Sequence, residues 1–584
     1  MYDLKITGGT LVDGSGSAPR TGDIAIKDGR IVAVGDCPGD AAETLDATGC
    51  IVTPGFVDVH THYDGQVTWD SDMAPSSIHG VTTAVIGSCG VGFAPCRAED
   101  RDRLIRLMEG VEDIPGSALA EGIQWNWESF GEYIDAVDAI PHTIDICTQV
   151  PHDALRVYVM GDRAIAEEPA TADDIAEMQR VLGEALDAGA FGFSTGRSDN
   201  HRSAGGLPTP ASEAHESELV GLAEVFAGRE HGVLQFVNDF DILDGDEHFH
   251  REFDLVEAMA RAGGGRPLSL SLMQRDQSPD QWKWVIDRVE TLRNEGLPVH
   301  FQCAPRGIGV ILGLEATFHP FVGFPSYKKI HHLPLAERVA IMSDPDFKTQ
   351  LLSESSEPLA GDGSSIPPLA DMLLQAISWI VWRVFKLGET PNYEPDLSTS
   401  IGFQANAEGR DALDAIYDAM LEDDGHALLY FPIYNYLEGN LENVGTMMKH
   451  DAALPGLSDG GAHVGTICDA SFPTFYLTHW VRDRDHGRVP VEQAIHWQTG
   501  RTAEYMGLSD RGTLEVGKRA DVNVIDLDNL RLNPPTLVED LPAGGKRLLQ
   551  YADGYRATLV AGEVIVQDGE LTGARPGRVV RAGR

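Results

Sequence analysis

The chain has 584 residues, 90 of them acidic against 45 basic, for a formal net charge of −45. That length exceeds one small core and implies two or more domains. So acidic a surface repels nucleic acid and anionic membranes, so neither is expected as a partner.

The opening, MYDLKITGGTLVDGSG, has no basic segment followed by an apolar one, and no apolar run is long enough to span a bilayer. Seven scattered cysteines fit free thiols in a reducing compartment, so a cytoplasmic chain without a disulfide framework is expected. The first fifty or so residues alternate short β-rich runs with tight turns. GTLEVGKRADVNVIDLD and YRATLVAGEVIVQDGE repeat that pattern near the end, which predicts one small β-sandwich built from both termini, residues 1–52 and 509–584.

Between them, eight β-rich runs alternate with helical patterns over 53–508. In order they are GFVDVHTH, TTAVIGSCG, TIDICTQVPH, GAFGFSTG, GVLQFVND, PLSLSLMQ, PVHFQCAPR and LPGLSDGGAH. ADDIAEMQRVLGEALDAG and ESELVGLAEVFAGREHG carry the helical period between two pairs of them. This alternation predicts a TIM-like (β/α)8 barrel whose catalytic groups gather at the strand C-termini. A long insertion at about 305–450 separates the last two runs, far more than a normal connection. In it, Leu373, Leu374, Ile377, Ile380, Val381 and Val384 recur at helical spacing, widened by Trp379 and Trp382. That stripe is expected to pack over the barrel mouth, against a second copy in a homo-oligomer, or both. A satellite core inside the insertion is the alternative.

Three motifs carry chemistry. In PGFVDVHTH, His60 and His62 lie two apart in a strand and project to one face, the start of a zinc site. In SDGGAH, Asp459 stands before glycines at the last strand end, where it can touch metal and take a proton from water. A turn or capping aspartate is its plainer role. Cys89, in the glycine-rich IGSCGVG turn, is a thiolate ligand or a small buried thiol.

These motifs, with KITGGTLVDGSG, GVTTAVIGSCGVGFAP, GAFGFSTG, GTLEVGKRADVNVID and LVAGEVIVQDGELTG, make the chain resemble the amidohydrolase superfamily nearly end to end. Within it, the chain is similar to the N-acyl-D-amino-acid deacylase family. The resemblance implies a β-sandwich plus barrel, one or two zinc ions or other divalent metals, and hydrolysis of a C–N bond in a small-molecule substrate. It makes His60, His62 and Cys89 metal ligands, and Asp459 a ligand and general base.

The chain departs from that family at strands five and six, where histidines are expected. Val237, Leu272 and Met273 stand there, and Gln274 stands for a carboxylate-binding lysine. The metal centre is therefore rebuilt, reduced to one ion, or lost. His152, His201 and His463 follow strands three, four and eight on the same face and are candidates to contact substrate or metal. Arg197, Arg202 and Arg306 are candidates to hold a substrate carboxylate. Pairing with surface carboxylates is the plainer role of all three arginines. The competing function is a non-catalytic small-ligand binder that keeps the fold and a degenerate metal site.

Overall fold

The computed structural model describes residues 1–198, 200–240, 245–359, 368–375 and 377–583. Each of the eight runs supplies one strand of a parallel sheet. The strands are β1 (Phe56–Asp58), β2 (Val81–Ile86), β3 (Asp145–Pro151), β4 (Gly192–Arg197), β5 (Val233–Asn238), β6 (Leu268–Ser271), β7 (Val299–Cys303) and β8 (Ala453–Pro455). They pair in sequence order, and a parallel bridge from Thr61 to Gly460 joins the ends of β1 and β8. The result is a TIM-like barrel. Its strands are covered on both faces, which is why β2 and β3 are buried throughout and read as continuous runs rather than alternating ones.

The helices form where the periodicity placed them. Ala172–Ala188 begins at Thr171, whose side chain accepts from the Asp174 backbone, and stops at Gly189, whose φ of +117° is left-handed. Helix α1 (Arg101–Glu112) follows β2 and buries Leu104, Leu107, Met108 and Val111.

Both termini contribute to a nine-stranded sheet, in which Ile51–Pro54 pairs with Val522–Ile525. Its core includes Ile6, Ile24, Val52, Val522, Val524 and Leu559. Buried Asp145 ties this domain to the barrel, accepting from Arg511 at 2.7 Å and Arg519 at 2.9 Å. No described helix is long and apolar enough to cross a membrane.

The insertion carries its own antiparallel sheet of Ile308–Leu312, Leu429–Tyr434 and Phe385–Lys386 and its own core, including Phe321, Met342, Tyr417 and Phe431. The predicted stripe is divided. Leu374, Ile380, Val381 and Val384 are buried in this satellite core, whereas Leu373 also reaches the barrel-mouth cavity. The helical pattern also ends earlier than its spacing suggested, because Phe385–Lys386 pairs as a strand with Leu429 and Tyr430. Trp379 is 80% exposed and Ile380 only 3%. Ile380→Asp is therefore expected to cost about 3 kcal/mol or more and to lower the melting temperature. Trp379→Asp should leave the melting temperature unchanged, and equal melting of the two variants would contradict this division.

Candidate metal centre and active site

The barrel brings the three motifs to one point. His60 and His62 follow the end of β1, and Cys89 lies three residues past β2. The His62 backbone donates to Gly460 at 2.8 Å, which draws Asp459 alongside. One ligand atom each from His60, His62 and Cys89 lies within 4.8 Å of the others, all three residues buried. The Asp459 Oδ1 atom sits 3.2 Å from His60 Nε2 and 3.5 Å from His62 Nε2. Cys89, Asp459 and His463 all hold positive φ, at 55°, 46° and 47°. Non-glycine residues avoid that region unless their surroundings over-determine it, and such strain collects at functional sites.

The neighbours fix how the imidazoles face. His60 Nδ1 lies 2.7 Å from Gln302 Oε1. Gln302 Nε2 in turn donates to Ser269 Oγ at 3.0 Å, so the amide oxygen must accept from a protonated Nδ1. That leaves the His60 Nε2 lone pair aimed at Cys89, 3.2 Å away, and at Asp459. His62 Nδ1 faces Glu112 Oε1 at 3.1 Å, across two buried side chains.

The electrostatics show how the four groups are charged before any cation enters. Burial pushes His60 down to about 4, suiting a neutral ligand. Burial also opposes charge on His62, but the Glu112 and Cys89 charges outweigh it and raise His62 well above its ordinary value. Burial pushes the Cys89 thiol up to about 12, with His62 opposing it. Burial works against ionised Asp459 too, yet the His60 and His62 imidazoles hold its carboxyl well below the usual carboxylate range.

These residues fit a divalent ion. Two imidazoles, a thiol and a carboxylate are a zinc-type donor set, and Asp459 Oδ1 is buried with no hydrogen-bond partner. Cations neutralise such groups. The inward positions of β5 and β6 offer no further imidazole. Gln235 Oε1 accepts from the Cys89 backbone at 3.2 Å, and Ser269 bonds Gln302 and Tyr505. Val237 and Met273 line the cavity, while Leu272 is packed in the core. Among the described residues, His60, His62 and Cys89 form the one such ligand cluster.

Above this cluster lies a cavity of about 300 Å³. Its floor is His60, His62, Cys89 and Asp459, and the insertion adds Ile308, Val310, Phe318, Leu373, Ile433 and Tyr434. His201 and His463 line it. The other four proposed contacts lie outside its lining. His152 starts a helix, with Nδ1 against Thr195 and Nε2 against Glu218, both at 2.9 Å. Arg197 grips Glu252 in a buried fork at 2.7 and 2.8 Å. The Arg202 backbone bridges to Pro208. Arg306 stacks 3.6 Å from the Tyr393 ring centre and donates to Asp469 at 2.9 Å. Arg197 and Arg306 are thus committed to protein carboxylates.

Sequence reasoning missed Glu112, Gln302 and Arg275. Alternation along β7 places Gln302 inward, and Glu112 follows Met108 by four residues, continuing the buried face of α1. Arg275 is 4% exposed and lines the cavity. It donates to the Asn238 carbonyl at 2.8 Å and to Gln281 at 3.3 Å. Among the described residues, no carboxylate lies within ion-pair distance of it.

Comparison with known proteins agrees with this architecture. The family model described as "Amidohydrolase family" matches residues 43–356 and 402–566. The chain is 28% identical to the D-aminoacylase of Alcaligenes xylosoxydans xylosoxydans, covering 99% of this chain and 97% of that protein. It is 29% identical to the N-acyl-D-glutamate deacylase of the same organism, covering 90% and 88%. A crystal structure of N-acyl-D-glutamate deacylase from Bordetella bronchiseptica, complexed with zinc and a phosphonate mimic of the tetrahedral intermediate, aligns over 100% of both chains at 25% identity and a TM-score of 0.65. Matched by the family model along most of its length, and built on the same barrel, the chain belongs to the amidohydrolase family.

Proposed function

We propose that this chain hydrolyses the amide bond of an N-acyl amino acid, using a divalent ion, zinc foremost, held by His60, His62, Cys89 and Asp459. The observation that carries the reading is the convergence of those donors at the floor of a cavity, with the Asp459 Oδ1 atom making no hydrogen bond. The names of the relatives support the substrate class. When bound, the ion supplies positive charge that polarises an amide carbonyl and acidifies water. Asp459, whose carboxyl is held well below the usual carboxylate range, accepts the proton of the attacking water on its carboxylate. It then passes that proton to the amide nitrogen as the C–N bond breaks. The apolar insertion wall excludes bulk water and receives the acyl group or the amino-acid side chain.

Arg275 is the group best placed to hold the substrate carboxylate, because its guanidinium lines the cavity and its hydrogen bonds go to the neutral Asn238 carbonyl and Gln281 side chain. Arg275→Met is expected to raise KM for an N-acyl amino acid by roughly 10–100-fold with kcat nearly unchanged, the worth of a charge-assisted hydrogen bond. An N-acyl amine without a carboxylate should not register the change. Equal KM in wild type and variant would remove Arg275 from this role. The reading as a whole is tested by offering N-acyl amino acids of both hands and measuring amine release. Release from neither hand by the metal-loaded chain would favour a non-catalytic small-ligand binder. The absence of histidines from β5 and β6 supports that second reading, and the intact Asp459 opposes it.

A further inference from the structure

Glu112 occupies a costly place. It is 1% exposed and sits in the last turn of α1, where the helix dipole disfavours an anion. A buried carboxylate is tolerated only beside compensating partners. Glu112 has two imidazoles: His62 Nδ1 at 3.1 Å from Oε1 and His463 Nε2 at 3.6 Å from Oε2. Its carbonyl also accepts from the His463 backbone, which holds the helix end against the β8 loop. Neither Glu112 Oε1 nor His62 Nδ1 completes a well-angled hydrogen bond with any group, the other included, so their 3.1 Å contact is an ion-pair approach between two buried side chains.

We propose that Glu112 is a positioning residue for the metal centre. Its carboxylate, 3.1 Å from His62 Nδ1, favours the tautomer that keeps its proton there and leaves the Nε2 lone pair facing Cys89 and Asp459. The inference rests on the metal-dependent reading above. A carboxylate behind a ligating imidazole orients the ring and raises its basicity, and losing one typically costs about 10–100-fold in metal affinity. His60 has only the neutral amide of Gln302 in the equivalent place, so His62 is the more strongly donating of the pair.

The test measures zinc affinity of the full-length chain by competition with a chromophoric chelator, in wild type and in Glu112→Gln. The glutamine keeps the shape and removes the charge. A folded variant that binds zinc about 10–100-fold more weakly is the expected result. A folded variant with wild-type affinity would overturn the proposal. If the variant does not fold, nitrogen NMR of zinc-loaded wild type decides. His62 bound through Nε2 with a protonated Nδ1 supports the proposal, and binding through Nδ1 overturns it. A wild-type chain that binds no zinc defeats the metal reading and this inference together, a result distinct from equal affinities.

Discussion

Asp459→Asn is expected to lower kcat by about 10²–10⁴-fold, the usual worth of a positioned acid–base group. Asparagine keeps the size and one oxygen of the side chain but cannot accept a proton at neutral pH. The loss should fall on kcat rather than KM, because the proton moves only as the reaction proceeds. The surroundings are arranged for this task. The carboxyl is held well below the usual carboxylate range, and Oδ1 makes no hydrogen bond. The left-handed φ of Asp459 persists in asparagine, which tolerates that region well. The fold, read by circular dichroism and melting, should therefore survive. Steady-state kinetics of the folded variant check the expectation, and wild-type turnover would remove Asp459 as the base.

His60→Ala and His62→Ala are expected to abolish tight metal binding and to reduce hydrolysis to background. Each removes one of three clustered donors, and structural or catalytic zinc depends on that number of protein ligands. The two losses should not add, since either leaves an incomplete site. Both imidazoles are buried, at 1% exposure, so each change also opens a void beside Asp459. Metal content after dialysis against metal-free buffer distinguishes the cause. A folded variant that retains a full equivalent of metal would show that the ligand belongs elsewhere.

How much of this was legible depended on the kind of signal. The barrel was readable because its buried strands leave continuous apolar runs between helical periods. His60, His62 and Asp459 were readable because strand spacing and strand-end position fix where their side chains face. Position at the catalytic face was a weaker guide for the other candidates. His201 and His463 face the cavity, but Arg197 turns to Glu252 on the helix Asp246–Ala262, and Arg306 turns to Asp469 and the Tyr393 ring. A residue just past a strand can point inward or out toward a helix, and sequence does not say which. Glu112 was hidden because an acid at a helix end ordinarily reads as solvated; only its spacing from Met108 betrays the buried face. The insertion stripe showed that its residues are buried, but period alone could not name the core that buries them.

The most direct measurement of the central claim is amine release from a panel of N-acyl amino acids of both hands, before chelation, after chelation and after zinc is restored. Hydrolysis of at least one of them by the purified chain, its loss on chelation and its return with zinc are the expected results. Undiminished hydrolysis by the metal-free chain, or none of any N-acyl amino acid with zinc bound at His60 and His62, would contradict it.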